Sequence, residues 1–213
     1  MKTKFGFPLL AAVVISALAF TTFMPEEYPT LNIGDAAPLA DVKMKDVSEK
    51  ELSLNDIKKE SGLLVVFSCN SCPFVVGGEE SEGWEGRYNG LYSICKSVGI
   101  GMVLVNSNEA KRDGDDSFAN MQARAKDKKY KSYYVMDTGS QLANAFGAKT
   151  TPHVFLFGSD MKLIYKGAID DNVKSPKEVT SHYLQMALRE VKSGKAITTS
   201  ETKAVGCSIK RSK

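Results

Sequence analysis

The sequence contains few of the residues that metal sites usually require, and its charges are nearly balanced. Only two of the 213 residues are histidine and four are cysteine. A structural zinc site usually takes four cysteine or histidine ligands at short spacing, whereas Cys95 and Cys207 each stand alone. The formal net charge of +3 is too small to indicate a nucleic-acid-binding protein. The composition therefore argues against a zinc centre and against nucleic acid as a partner.

A long apolar stretch occurs at one place, the N-terminus. Lys2 and Lys4 precede residues 5–23, which carry no charge, and residues 17–19 form an A-x-A cleavage pattern. We therefore expect a secretory signal peptide over residues 1–19. An uncleaved membrane anchor stays open as an alternative, because the run is near the lower limit for a span. Either segment would place the protein in the periplasm or another extracytoplasmic space, where disulfides persist.

One domain is expected to account for most of the remaining chain. We expect a linker over residues 20–30, the domain over 31–195 and a polar, mobile tail over 196–213. Three runs in the domain are apolar at every position, which indicates strands buried on both faces: 63–67, 102–105 and 154–157. A hairpin is expected around Ser48, and a closing strand pair over 153–158 and 162–167.

Helical periodicity separates these strands, and the alternation predicts an α/β sandwich. We expect four helices, over residues 84–98, 118–125, 142–146 and 175–191. Gly99 and Gly147 follow two of them in the position of a C-terminal cap. Glycines near the start of the helix expected over residues 84–98 predict a break in that helix. The fourth begins with Ser175 and Glu178 at the spacing of a capping box, so a continuous helix is predicted from that point.

The stretch "FSCNSCPF", residues 67–74, places two cysteines where the first central strand passes into a helix. Cys69 is expected at or just before the helix N-terminus, where unpaired N–H groups stabilise a thiolate. Cys72 could then resolve a mixed disulfide formed by Cys69, and Pro73 suits the first helical turn. A purely structural disulfide is the alternative, but so short a loop would gain little stability from it.

Several segments together resemble a known superfamily. "LLVVFSCNSCPFV", "AFGAKTTPHVFLF" and "LIYKGAIDDN" resemble the thioredoxin superfamily, and more narrowly its redoxin branch, related to the alkyl hydroperoxide reductase/thiol-specific antioxidant proteins. "IGDAAPLADVKMKDVSEKELSL" is similar to the N-terminal part of that branch, and "GCSIK" to its C-terminal signature. The resemblance covers roughly residues 31–210.

The resemblance implies a fold, an activity and a set of site residues. The fold would be thioredoxin-like, an α/β fold with a central mixed sheet flanked by helices and an N-terminal hairpin extension. Cys69 would be the nucleophile and Cys72 the resolving thiol of a thiol-disulfide oxidoreductase. Thr151, a cis-Pro152 and Pro73 would contact the substrate. No cofactor is implied beyond a redox-active disulfide, Cys69–Cys72.

The partners implied are protein thiols and disulfides and an unidentified electron donor, with no membrane role beyond the export signal. Two residues depart from the resemblance. Thioredoxins carry a tryptophan where this chain has Ser68, and relatives in the branch often have a histidine where Ser71 stands. The resemblance therefore predicts neither the reduction potential nor the direction of the reaction.

Alternative functions remain open. Peroxiredoxins use a P-x-x-x-T/S-x-x-C pattern, which fits this sequence in neither register, counted back from Cys69 or from Cys72. A thioredoxin-fold copper chaperone could pair the two cysteines with His153, and a non-catalytic binding module of the same fold is a further alternative. Cys95 lies on an apolar helix stripe and is expected to be a buried, inert thiol. Cys207 is an accessory candidate that could resolve the active-site disulfide, relay electrons, or pair with Cys95 or another chain.

Overall fold

The computed structural model of the protein describes residues 1–2 and 28–212. Most of the predicted signal peptide, most of the predicted linker and Lys213 lie outside these described residues. None of the helices within the described ranges is both long and apolar enough to cross a membrane.

A mixed seven-stranded sheet forms the centre of the domain. Its strands, in chain order, are β1 (Met44–Asp46), β2 (Glu51–Leu52), β3 (Gly62–Ser68), β4 (Ile100–Asn106), β5 (Tyr133–Met136), β7 (His153–Phe157) and β8 (Leu163–Gly167). They lie in the order β2-β1-β5-β4-β3-β7-β8. Only the β3–β4 and β4–β5 pairs are parallel. Two short strands, β6 (Thr150–Thr151) and β9 (Cys207–Ser208), form a separate antiparallel pair.

The three predicted apolar runs are the central strands of this sheet. Every residue of β3, β4 and β7 is buried, because helices and loops cover both faces. Alternate residues of one strand enter opposite cores: Leu64 and Val66 pack on one face, and Leu63, Val65 and Phe67 on the other. The predicted strands, the hairpin of β1 and β2, and the closing pair of β7 and β8 are confirmed.

In the described part of the chain, six α-helices surround the sheet. They are α1 (Leu54–Ile57), α2 (Pro73–Val76), α3 (Tyr88–Val98), α4 (Phe118–Asp127), α5 (Gln141–Phe146) and α6 (Tyr183–Lys192). A 3-10 turn, Glu85–Arg87, precedes α3, as the glycines near its start predicted. Gly99 and Gly147 end α3 and α5 in the left-handed conformation, with φ of 77° and 59°. A Cβ on Gly147 would also lie 2.0 Å from the carbonyl oxygen of Pro29.

The predicted continuous helix over residues 175–191 is wrong in its first half. Ser175 does cap a helical turn, but that turn is a 3-10 turn that ends at Glu178. Val179 is extended, with ψ of 123°, and α6 begins only at Tyr183. The backbone N–H and the hydroxyl of Thr180 both donate to the carboxylate of Asp171. This side-chain contact holds the backbone out of the helical conformation.

The C-terminal segment is packed against the domain, which differs from the expected mobile tail. Ile209 is buried, and its N–H donates to the carbonyl of Lys149 at 3.0 Å. Arg211 donates to the side chain of Asn144 (2.6 Å) and to the carbonyl of Ala148 (2.7 Å). The segment therefore has fixed anchors, and β9 within it lies beside the cysteines.

Candidate active site

Cys69 and Cys72 lie in the loop between β3 and α2. Cys72 is the N-cap of α2, with φ of −80° and ψ of 124°, and the exposed Pro73 is the first helical residue. The prediction that Cys69 lies at the helix start is therefore corrected, because Cys72 occupies that position. Since α2 is a single turn of four residues, its dipole contributes little to either sulfur.

The second wall of the site is the Thr151–Pro152 peptide bond, which is cis. The Sγ of Cys69 lies 3.2 Å from the hydroxyl of Thr151 and accepts from the backbone N–H of Cys72 at 3.3 Å. The Sγ of Cys72 lies 3.1 Å from the carbonyl oxygen of Thr151. The structure thus brings together Cys69, Cys72, Thr151 and Pro152, whose individual roles remain predictions.

The two thiols share a proton between them. Hydrogen bonding to Cys69 lowers the pKa of Cys72 to about 5. The same hydrogen bond, together with burial, raises the pKa of Cys69, and the carboxylate of Asp116 adds to this by repelling a charge there. The reduced pair therefore carries one negative charge at neutral pH.

The hydrogen bonds allow two positions for the shared proton. With the proton on Cys72, its thiol donates to the Thr151 carbonyl; with the proton on Cys69, the anion is Cys72. The first arrangement gives a Cys69 thiolate two donors, the N–H of Cys72 and the hydroxyl of Thr151. The second places the charge on the less buried sulfur and away from Asp116, but sets it 3.1 Å from the Thr151 carbonyl oxygen. The negative charge is therefore described for the pair, and the ionisation of Cys69 itself stays a prediction.

Cys207 lies at the same site. In the β6–β9 pair it is directly opposite Thr151. Its side chain and backbone both interact with the sulfur of Cys72 and help to lower the pKa of that thiol. Burial and the neighbouring Cys72 raise the pKa of Cys207 to about 11. Cys95 is fully buried on α3, where burial raises its pKa to about 12, as expected of an inert thiol.

A buried carboxylate that the sequence reasoning missed positions the loop between the cysteines. Asp116 is fully buried, and its Oδ1 accepts from the backbone N–H of Asn70 (2.7 Å) and the amide of Asn106 (2.8 Å). Its Oδ2 accepts from the hydroxyl of Ser71 (2.9 Å) and the amide of Asn108 (3.0 Å). The polar residues directly after the apolar run of β4 were the available signal. Asp116 itself has no local signature, because its partners come from two separate loops.

Aromatic side chains pack against the loop between β3 and α2 that carries the cysteines. The hydroxyl of Tyr134 donates to the side-chain oxygen of Asn70 at 2.9 Å. Trp84, the one tryptophan in the sequence, packs in the same core cluster as Cys69 and Cys72. Its ring stacks on that of Phe74 in α2, with the ring centroids 6.5 Å apart. The indole N–H of Trp84 donates to the buried Asp170 at 2.8 Å. Trp84 is thus a core residue beside the site.

His153 does not extend the cysteine cluster. Its Nδ1 accepts from the backbone N–H of Lys149 at 3.3 Å, and its ring lies 4.5 Å from that of Phe155. Burial and two neighbouring lysines lower the pKa of His153 to about 4. These contacts count against the copper alternative, which needed His153 beside the cysteines. Among residues 1–2 and 28–212, no group of three or more His, Cys, Asp or Glu side chains could hold a metal ion.

The sequence of residues 33–166 matches the profile of the AhpC/TSA family. The chain belongs to this family. Membership confirms the predicted resemblance to the redoxin branch. No protein with a curated description matches the sequence.

Solved structures agree with the family assignment. An uncharacterized conserved protein from Geobacillus kaustophilus has a TM-score of 0.77 and 28% identity, over 89% of this chain and 97% of its own. A hypothetical protein from Sinorhizobium meliloti 1021 has a TM-score of 0.76 and 29% identity, over 86% and 97% of the two chains. Peroxidoxin BcpB from Mycobacterium tuberculosis is similar at a TM-score of 0.53 and 14% identity, over 76% and 96%. The fold is therefore thioredoxin-like.

Proposed function

We propose that the protein is a thiol-disulfide oxidoreductase that acts on protein disulfides through Cys69 and Cys72. The observation that carries this proposal is the contact of both sulfurs with Thr151, directly before cis-Pro152, together with the hydrogen bond from the N–H of Cys72 to the Cys69 sulfur. A pair with one low pKa supplies a thiolate at neutral pH, which is the nucleophile in thiol-disulfide exchange. The redox-active group is the cysteine pair itself, without a further cofactor.

The hydrogen bonds around the sulfurs support a division of labour in which Cys69 attacks the substrate. Movement of the shared proton from Cys69 to Cys72 leaves a Cys69 thiolate that accepts from the N–H of Cys72 and the hydroxyl of Thr151. The protonated Cys72 then donates to the Thr151 carbonyl. Cys69 would attack one sulfur of a protein disulfide and release the other as a thiolate. That released thiolate would take up the proton of Cys72, and the Cys72 thiolate would next attack Cys69, forming the Cys69–Cys72 disulfide and releasing the reduced protein.

The test is turnover of a small protein disulfide, with a chemical dithiol regenerating the reduced pair. Cys69→Ser should abolish reduction, because no mixed disulfide can form at that sulfur. Cys72→Ser should accumulate mixed disulfides with substrate, because the resolving thiol is gone. Cys95→Ser, which removes a buried thiol outside the site, is the matched control and should keep full activity. Undiminished turnover by Cys69→Ser would overturn the proposal.

Peroxide reduction is the competing activity, and a peroxide assay beside the disulfide assay separates the two. A peroxidase consumes hydrogen peroxide catalytically, through oxidation of one cysteine to a sulfenic acid. We expect peroxide turnover to be slow beside disulfide exchange, because no arginine side chain makes a hydrogen bond to the sulfurs of Cys69 or Cys72 within the described part of the chain. Rapid peroxide turnover with no reduction of protein disulfides would favour the peroxidase.

We also propose that the protein is exported and exchanges disulfides outside the cytoplasm. The positively charged start, the apolar run and the A-x-A pattern support this. Mass spectrometry of the chain recovered from the extracytoplasmic fraction should show a new N-terminus after Ala19. Recovery of the intact chain from the cytoplasm alone would contradict export.

A further inference from the structure

The C-terminal segment occupies the backbone edge that faces the active-site cysteines. In the antiparallel β6–β9 pair, Cys207 is opposite Thr151 and Ser208 is opposite Thr150. An extended peptide that binds a sheet edge makes backbone pairs of this kind. The edge of Thr151, next to the sulfurs, is thus already paired with the chain's own tail, which lies where an extended substrate peptide would lie.

At Gly206 the tail lies very close to the Thr151–Pro152 peptide. A Cβ on Gly206 would lie 2.2 Å from the carbonyl oxygen of Thr151 and 3.2 Å from the nitrogen of Pro152. Real side chains do not make backbone contacts as short as the first of these. Only glycine therefore lets the tail approach the cis peptide so closely, directly before Cys207.

Contacts on both sides of Cys207 hold it in register. After it, Ile209 is buried, and the N–H of Lys210 donates to the side chain of Asn108 at 2.9 Å. Before it, the N–H of Thr202 donates to the carbonyl of Lys166 at 3.0 Å. Between these anchors the half-buried side chain of Cys207 packs against the core cluster that contains Cys72, which raises the pKa of Cys207. A chain anchored on both sides of a thiol presents that thiol at high effective concentration.

We propose that Cys207 is a third redox cysteine, carried on an internal substrate peptide, which exchanges disulfides with Cys72. This proposal rests on the proposed function, which supplies the Cys69–Cys72 disulfide. The Cys207 thiolate attacks the Cys72 sulfur, a Cys72–Cys207 bond forms, and the Cys69–Cys72 bond breaks. Cys69 leaves as a thiolate and takes up the proton that Cys207 gave up. No electrons are gained or lost overall, and the oxidised protein regains a free nucleophile at Cys69.

Disulfide mapping of the full chain tests whether Cys72 and Cys207 form the bond that this step requires. The Cys69→Ser variant is oxidised with a small-molecule disulfide, quenched with acid, alkylated, digested and analysed by mass spectrometry. We expect an intramolecular Cys72–Cys207 disulfide as the main product. In the Cys72→Ser variant, a Cys69–Cys207 disulfide should be minor, because Cys207 contacts Cys72. A Cys69→Ser protein that keeps Cys72 and Cys207 free, or links them only between molecules, would overturn the proposal.

A second substitution separates the effect of the close approach at Gly206 from that of the Cys207 thiol. Gly206→Ala, added to Cys69→Ser, should slow formation of the Cys72–Cys207 disulfide at least about tenfold, because the added Cβ displaces the tail. Ser208→Ala, at the exposed neighbouring position, is the matched control and should leave that rate unchanged. Equal rates for Gly206→Ala and Ser208→Ala would show that the close approach at Gly206 does not position Cys207 beside Cys72.

The two proposals can fail separately. Small-molecule oxidation does not require turnover of a protein disulfide, so the mapping does not depend on the activity assay. If protein disulfides are reduced but no Cys72–Cys207 bond forms, the internal substrate is refuted and the proposed function stands. If the bond forms but no protein disulfide is reduced, the pairing of Cys207 with Cys72 stands and the activity on proteins is refuted.

Discussion

Replacement of Asp116 should cost stability and also change the ionisation of the cysteines. Its carboxylate accepts hydrogen bonds from four donors, and two of these, the amides of Asn106 and Asn108, are themselves buried. A buried donor left without a partner costs about 1–3 kcal/mol, so Asp116→Ala should lose about 2–6 kcal/mol of unfolding free energy. Asp116→Asn keeps one acceptor oxygen, and we expect about half of that loss.

The assay is urea unfolding of the reduced protein, followed by circular dichroism. A lower midpoint at unchanged slope reports a loss of stability without a change in the surface exposed on unfolding. Asp115→Ala is the matched control, because Asp115 is exposed and offers only its backbone carbonyl to the loop. It should unfold like the wild type. If Asp116→Ala has the same midpoint as Asp115→Ala, the carboxylate does not support the loop.

A second measurement separates the charge of Asp116 from its structural role. The carboxylate raises the pKa of Cys69 by repelling its thiolate. Removal of that charge should lower the pKa of Cys69 and so speed the alkylation of this thiol at fixed pH, with each alkylated cysteine identified by mass spectrometry. The direction follows because a nearby negative charge disfavours the anionic sulfur. An unchanged alkylation rate at Cys69 in a folded Asp116→Asn protein would refute the electrostatic part of the reasoning.

Two further predictions follow from the geometry. Alkylation of the reduced protein by iodoacetamide should rise as the pH passes about 5 and then level off before pH 7, because the pKa of Cys72 is lowered to about 5; a midpoint near the ordinary thiol pKa of about 8.5 would contradict this. Gly147→Ala should lower unfolding free energy by at least about 1–2 kcal/mol, because the position has φ of 59° and no room beside Pro29. Thermal unfolding with Gly90→Ala as the control, where a Cβ meets open space, checks this, and equal melting temperatures would disprove it.

The central strands were predictable because their signal is local. β3, β4 and β7 are apolar at every position, which suits only a strand covered on both faces. The caps of α3 and α5 were predictable for the same reason, since Gly99 and Gly147 directly follow the apolar stripes. In each case the residues that determine the structure are neighbours in the chain.

The errors concern contacts between distant parts of the chain. The carboxylate of Asp171 binds Thr180, nine positions further on, and so delays the start of α6. The polar tail was expected to be mobile, but a composition rule does not count backbone pairs such as that of Cys207 with Thr151. The expected ionisation of Cys69 assumed that this residue lies at or just before the helix N-terminus, whereas Cys72 occupies the N-cap position.

The position of Trp84 gives the protein an intrinsic fluorescence signal beside the active-site cysteines. Because it is the sole tryptophan, all indole emission originates next to Phe74, two residues after Cys72. Rearrangement of the cysteine loop when a disulfide forms would change the surroundings of this single fluorophore. The kinetics of oxidation and reduction could therefore be followed by intrinsic fluorescence in a stopped-flow instrument, on unlabelled protein and without consumption of a coupled substrate.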